Sequence, residues 1–207
     1  MCESLKAVPK RCSKVDFENL GFTMLTFLTV ALVSLQVANA ERFAGDNTKG
    51  SLDMEMVASL HDVPVVANSF TTELIIEENI TGKLVVQANS LKTGIGMRDS
   101  KMYEYCLETD KYPTVTFEMR GVTGNAEGLK SKAGTGKIKL HGKLTVRSTT
   151  RDIAVPTTYT WKDDQLHLKG AADLKWTDYG VPDPSILIST LYPEIKLSFD
   201  IALDKTF

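Results

Sequence analysis

Cysteine is scarce in this chain, and neither charge sign dominates. Three cysteines occur in 207 residues, and Cys2 and Cys12 fall within the first forty. If that stretch is removed, Cys106 stands alone and an internal disulfide is excluded even in an oxidising compartment. The formal net charge is −2. A nucleic-acid binder would carry a basic excess or stripe, so that class is set aside. Histidine is equally thin: His61, His141 and His167, with no H-x-H or H-E-x-x-H spacing. A metal site needs three or four converging ligands, so no metal is expected. There is no G-x-S-x-G elbow and no G-x-x-x-x-G-K-[ST] loop, which leaves no motif for acyl or phosphoryl transfer.

Long hydrophobic runs are absent except for one. "FTMLTFLTVALVSLQVANA" ends at Ala38-Asn39-Ala40, with Lys6, Lys10, Arg11 and Lys14 upstream. A basic segment, a short apolar core and a small-residue cleavage pattern predict a secretory signal peptide over residues 1–40. The start codon, Met1 or Met24, is left open. The expected product is a periplasmic or secreted single domain over residues 41–207, beginning near Glu41, with no membrane span after cleavage. No cysteine stands just after the apolar run to take a lipid anchor.

What fills that domain is alternation. The apolar side chains of "GKIKLHGKLTV" are Ile138, Leu140, Leu144 and Val146, all even. Those of "DIAVPTTYTW" are Ile153, Val155, Tyr159 and Trp161, all odd. "QLHLKGAADL", "EIKLSFDIAL", "TVTFEM" and "SLDMEM" repeat the pattern, and "FTTELII" and "KLVVQA" read as further strands. A period of two means strands with one buried and one wet face. Polar or glycine-rich connections at Arg147–Arg151, Lys162–Asp164 and Gly121–Gly136 predict hairpins. About eight such strands must close on themselves. An all-β, eight-stranded antiparallel up-and-down barrel with one short helix is expected, with a two-sheet sandwich as the alternative.

The helix is predicted where the alternation stops, over Asp99–Leu107. Met102 and Cys106 are four apart and should face the barrel, with Asp99 or Ser100 as the cap. The Gly94–Gly96 turn before it reads as a tight turn rather than a phosphate cradle. Cys106 reads as packing rather than a nucleophile.

Five stretches in this order, "SLKTGIGMRDSKM", "KYPTVTF", "GKLTVRSTTRDIAVP", "DLKWTDYGV" and "IKLSFDIAL", resemble the signature of the YceI-like family. The resemblance covers roughly Ser51–Leu203. It departs in the opening third, and where the usual Asp-Phe-Gly reads Asp178-Tyr179-Gly180. It implies a lipocalin-like periplasmic barrel holding a polyisoprenoid or fatty-acyl chain. The expected ligand-binding residues are Phe117, Leu140, Tyr159, Leu168 and Phe199 inside, with Arg98 at the mouth. No cofactor is expected and a homodimer is left open. The expected role is carriage, storage or sequestration without chemistry. Two alternatives stand beside it. One is an enzyme on lipid-like substrates using Arg98, Asp99 or Asp178. The other is a stress or interaction protein with a filled barrel.

Overall fold

The structure is a computed structural model that describes residues 40–185 and 190–206. The expected leader, residues 1–40, lies outside them but for Ala40. Eleven strand segments form one antiparallel sheet: β1 (Glu41–Asp46), β2 (Gly50–Ala58), β3 (Val63–Ala67), β4 (Phe70–Ile76), β5 (Ile80–Gln87), β6 (Leu91–Lys92), β7 (Thr114–Gly124), β8 (Thr135–Val146), β9 (Thr149–Lys162), β10 (Gln165–Lys175) and β11 (Leu191–Thr206).

Eleven segments make eight staves. β1 and β2 run end to end along β11, which pairs with Arg42–Ala44 at one end and Gly50–Ala58 at the other. β4 and β3 run the same way along β1 and β2, and β5 and β6 along β4 and β3. Each stave then pairs with the next in sequence order, and the first with the last. This is a closed up-and-down barrel, as the alternation predicted. Closure removes the open sheet edges that would otherwise invite aggregation. The inward parity also holds: Leu140, Val155, Leu168 and Ile201 are buried, while Lys139, Pro156, Lys169 and Asp200 beside them are exposed.

Two elements depart from the expectation. The helix begins at Gly96, not Asp99: α1 (Gly96–Lys101) continues into a π-helical turn over Met102–Leu107, and Ile95 holds the N-cap position. Asp99 does not cap it. Its carboxylate reaches back to the loop and accepts from the Thr93 backbone N–H at 2.8 Å and the Thr93 hydroxyl at 2.7 Å. The second departure is α2 (Glu127–Ser131), inside the stretch expected to be a plain loop. One turn of helix escapes a periodicity argument because it is shorter than the window that defines a period. Its Leu129 is 1% exposed and closes one end of the barrel. At Arg147–Arg151 the turn itself is tighter than expected, because β9 already starts at Thr149.

The two ends are thereby distinct. The base holds α2, the β9–β10 turn and the start of β1. The mouth holds α1, the β2–β3 turn and the segment after β10.

Candidate functional site: an apolar cavity open at the mouth

Between base and mouth lies a cavity of about 640 Å3. Its wall is built from the inward-facing residues of every stave, among them Leu52, Leu74, Met119, Val155 and Ile201. Its outlet is marked by Leu60 and Met97, which line it and are 65% and 85% exposed. The filled-barrel alternative is corrected by this space.

Of the expected ligand-binding residues, Phe117, Leu140, Leu168 and Phe199 lie on the cavity wall, and Arg98 lies at its mouth. Tyr159 does not line the cavity: it is 1% exposed and sits below the floor. The reason is its position in the barrel. Its register partner on β8 is Gly136, and a Cβ there would come within 2.5 Å of the tyrosine ring. A Cβ on Gly128 of α2 would also collide with Tyr159. Two glycines therefore form the slot that holds this ring at the base.

The same device shapes the wall. A Cβ on Gly142 would approach the Phe117 ring to 2.7 Å, and one on Gly170 the Phe199 ring to 2.6 Å. Each ring lies across a glycine of the neighbouring strand, occupying space a side chain would otherwise take. Flattened against the wall, the rings leave the lumen open. The signal was present in the sequence. Gly136, Gly142 and Gly170 fall in phase with the apolar residues of their strands, where a glycine weakens a strand unless something packs over it. Periodicity in apolar residues alone passes over them.

The mouth is held together by cationic side chains on backbone carbonyls. Lys101 donates to the carbonyls of Pro184 and Ser185 at 2.9 and 3.2 Å, joining α1 to the segment after β10. Arg147 donates to the Gly180 carbonyl at 2.8 Å and pairs with Glu108. Arg151 donates to the Asp178 carbonyl at 3.0 Å. Tyr103 donates its hydroxyl to the Leu91 carbonyl at 2.5 Å, fixing the π-helical turn to β6. Arg98 donates through Nη2 to the Thr93 carbonyl at 2.8 Å and through Nε to the Thr93 hydroxyl at 3.3 Å. Its Nη1 has no hydrogen bond among the described residues.

Met102 and Cys106 line the cavity from the π-helical turn, as their spacing predicted. Burial pushes the Cys106 thiol above its ordinary value, so it stays neutral. Asp99 goes the other way. Burial alone would raise it, but the Thr93 bonds, with Lys92 and Arg98 nearby, hold the carboxyl below its usual range. Burial raises the Tyr179 hydroxyl, with the Asp178 charge adding to it. Asp178 itself is exposed. His141 is exposed and His61 sits at the outlet. Among the described residues no three His, Cys, Asp or Glu side chains are placed to hold a metal, and no helix is long and apolar enough to cross a membrane.

Three solved structures share this architecture. BcnA of Burkholderia cenocepacia superposes with a TM-score of 0.66 at 15% identity, over 76% of this chain and 98% of that one. A polyisoprenoid-binding domain from Saccharophagus degradans, implicated in plant cell wall breakdown, gives 0.66 at 13% identity, over 80% and 98%. A YCEI protein of Campylobacter jejuni gives 0.59 at 16% identity, over 72% and 88%. At these identities the likeness is one of fold. No curated protein matches the sequence significantly. The profile of the YceI-like domain matches residues 28–203, and with most of its length inside that match, this chain belongs to the YceI-like domain family.

Proposed function

We propose that the protein binds the hydrocarbon chain of an amphiphilic lipid, of polyisoprenoid or fatty-acyl type, inside its barrel. The observation that carries this reading is the cavity: about 640 Å3, walled chiefly by Leu, Ile, Val, Met and Phe, and reaching the surface at the mouth. Such a wall binds by taking hydrocarbon out of water, at about 0.8 kcal/mol per methylene. Few polar contacts are then needed for affinity. The polyisoprenoid-binding domain of Saccharophagus degradans has the same fold, which supports the reading.

The polar head belongs at the mouth, where Arg98 and Lys101 border the cavity. The wall takes the tail, with Phe117, Leu140, Leu168 and Phe199 against it. The role is carriage, storage or sequestration in the periplasm or outside the cell, following from the leader pattern before Glu41. No chemistry is assigned to the site. Its thiol is held neutral and its buried carboxylate is already occupied by Thr93.

Organic extraction of purified protein followed by mass spectrometry tests this. A stoichiometric long-chain lipid is expected. Protein that yields none, and takes up none when offered prenols or fatty acids, overturns the reading. A labelled prenyl or acyl compound turned over rather than retained would place the protein among enzymes instead.

A further inference from the structure

We infer that a slot in the side of the barrel, between β9 and β10, is the portal through which the lipid's hydrocarbon chain enters and leaves. This rests on the lipid-binding reading and adds a route to it. β9 and β10 pair from Gln165↔Lys162 only as far as Gly170↔Thr157. Both strands run on beyond that point. Among the described residues, Thr149–Pro156 then pairs with β8 alone, and Ala171–Lys175 with β11 alone.

Pro156 accounts for the break. In an antiparallel strand, a residue's N–H and C=O point to the same neighbour. Pro156 keeps its place opposite Lys139 of β8. With no N–H to exchange there, it turns its carbonyl towards β10, where that oxygen would lie 2.7 Å from a Cβ on Gly170. The rung that would follow Gly170↔Thr157 joins Pro156 to Ala171, and it lacks a donor. Nearer the mouth the chain is tied back to β9 by side chains instead of a ladder. Arg151 donates through Nε to the Asp178 carbonyl at 3.0 Å, and Arg147 to the Gly180 carbonyl at 2.8 Å. The slot is thus bounded at both ends.

Its edges suit a hydrocarbon. Ile153 and Val155 line the cavity from one side of the slot and Leu174 from the other. Ile153, Ala172 and Leu174 are only half-buried, although they take the inward parity. Ala154, Pro156 and Ala171 are exposed outside. At the lower end the wall is thin. Phe199 borders both the cavity and a depression on the outer surface that holds Pro156, Thr157, Gly170 and Ala171. Widening the slot breaks no rung between its edges, whereas the β8–β9 and β10–β11 ladders continue past it.

The test joins those edges. Ala154→Cys with Asp173→Cys places thiols on the outer faces of the two strands, while Cys106 is buried. A short bis-maleimide links the pair, and the same variant unlinked is its control. The probe is cis-parinaric acid, whose emission rises out of water; its uptake and release are followed by stopped flow and its affinity at equilibrium. In Pro156→Val, one restored rung should slow both rates by up to about ten-fold, the rate equivalent of one net hydrogen bond. The linked protein should be slower still. Affinity should stay the same in both, since a portal changes the two rates together. The same linker on Lys143→Cys with Asp152→Cys, across the continuous β8–β9 ladder, should change neither rate. Each variant is first checked for a cooperative melt, and if the slot pair does not fold, Pro156→Val decides. Equal rates in linked and unlinked slot protein, with exchange slowed instead by linking Leu60→Cys to Met97→Cys at the outlet, overturn the portal while lipid binding stands. Failure of the probe to bind the unmodified protein strikes the lipid reading itself.

Discussion

At the base of the barrel Phe43, Leu129, Tyr159, Leu166 and Leu203 are each no more than 1% exposed. Higher in the barrel, Phe117 of β7 and Leu197 and Phe199 of β11 are only half-buried, although all face inward. The alternation is the same at both ends. The difference lies in what meets across the lumen. At the base, Phe43 packs edge-on against Trp161 at 5.3 Å between ring centres, and α2 fills the remaining gap. In the middle, two rings lie against the wall over glycines and nothing crosses. One barrel is thus part solid core and part container. The solid part can be expected to carry the stability, and the hollow part the ligand.

The sharpest test of that division is at the base. Tyr159→Ala leaves a hole in a fully packed site and should cost about 3–5 kcal/mol, seen as a large drop in the denaturation midpoint. A smaller pair of changes compares the two regions directly. Leu166→Trp overpacks the base and should cost about 3 kcal/mol. Leu140→Trp projects into the cavity, should leave the melting temperature nearly unchanged and should expel the co-purified lipid. Equal losses of stability would mean that the middle of the barrel is as solid as the base.

Two tests sharpen the picture of the mouth. Cys106→Ser places a stronger hydrogen-bonding group in a buried apolar site and should cost about 1–2 kcal/mol, with lipid specificity unchanged. In the native protein a bulky thiol reagent should react slowly through pH 8, because burial has raised the thiol. Reaction should quicken only above the ordinary thiol range, about 8.5. The smallest effect is expected at Asp99. Its folded-state value is lowered, so its stabilisation is present above the ordinary carboxylate range and lost as pH falls through the folded value. Between pH 7 and acid well below the ordinary carboxylate range, about 3.9, the protein should lose more stability than Asp99→Asn does. Parallel curves for the two proteins would remove Asp99 as the clasp of this loop.

Much of this was legible in the sequence. The parity of Leu140, Val155, Leu168 and Ile201 gave their strands and their inward faces, and the four-residue spacing of Met102 and Cys106 gave the helix. Tyr159 was misplaced because parity says which face a residue takes but not how far along the barrel it lies, or what it meets. Leu129 was missed because one helical turn carries no period. Asp99 looked like a cap because Asp commonly is one. Its partner turned out to be Thr93 of the preceding loop, a contact set by the path of the chain.

Alternation with a period of two establishes about eight antiparallel strands, each with one face to bury, and leaves a barrel or a two-sheet sandwich as the way to bury it. Closure into a barrel, packed at one end and hollow above, is visible once the strands are placed in space. That depends on which inward side chains oppose each other across the lumen, on two rings lying over glycines of neighbouring strands, and on a single turn of helix delivering Leu129 to the base. Those are distances between residues far apart in the chain, and a local pattern carries no information about them.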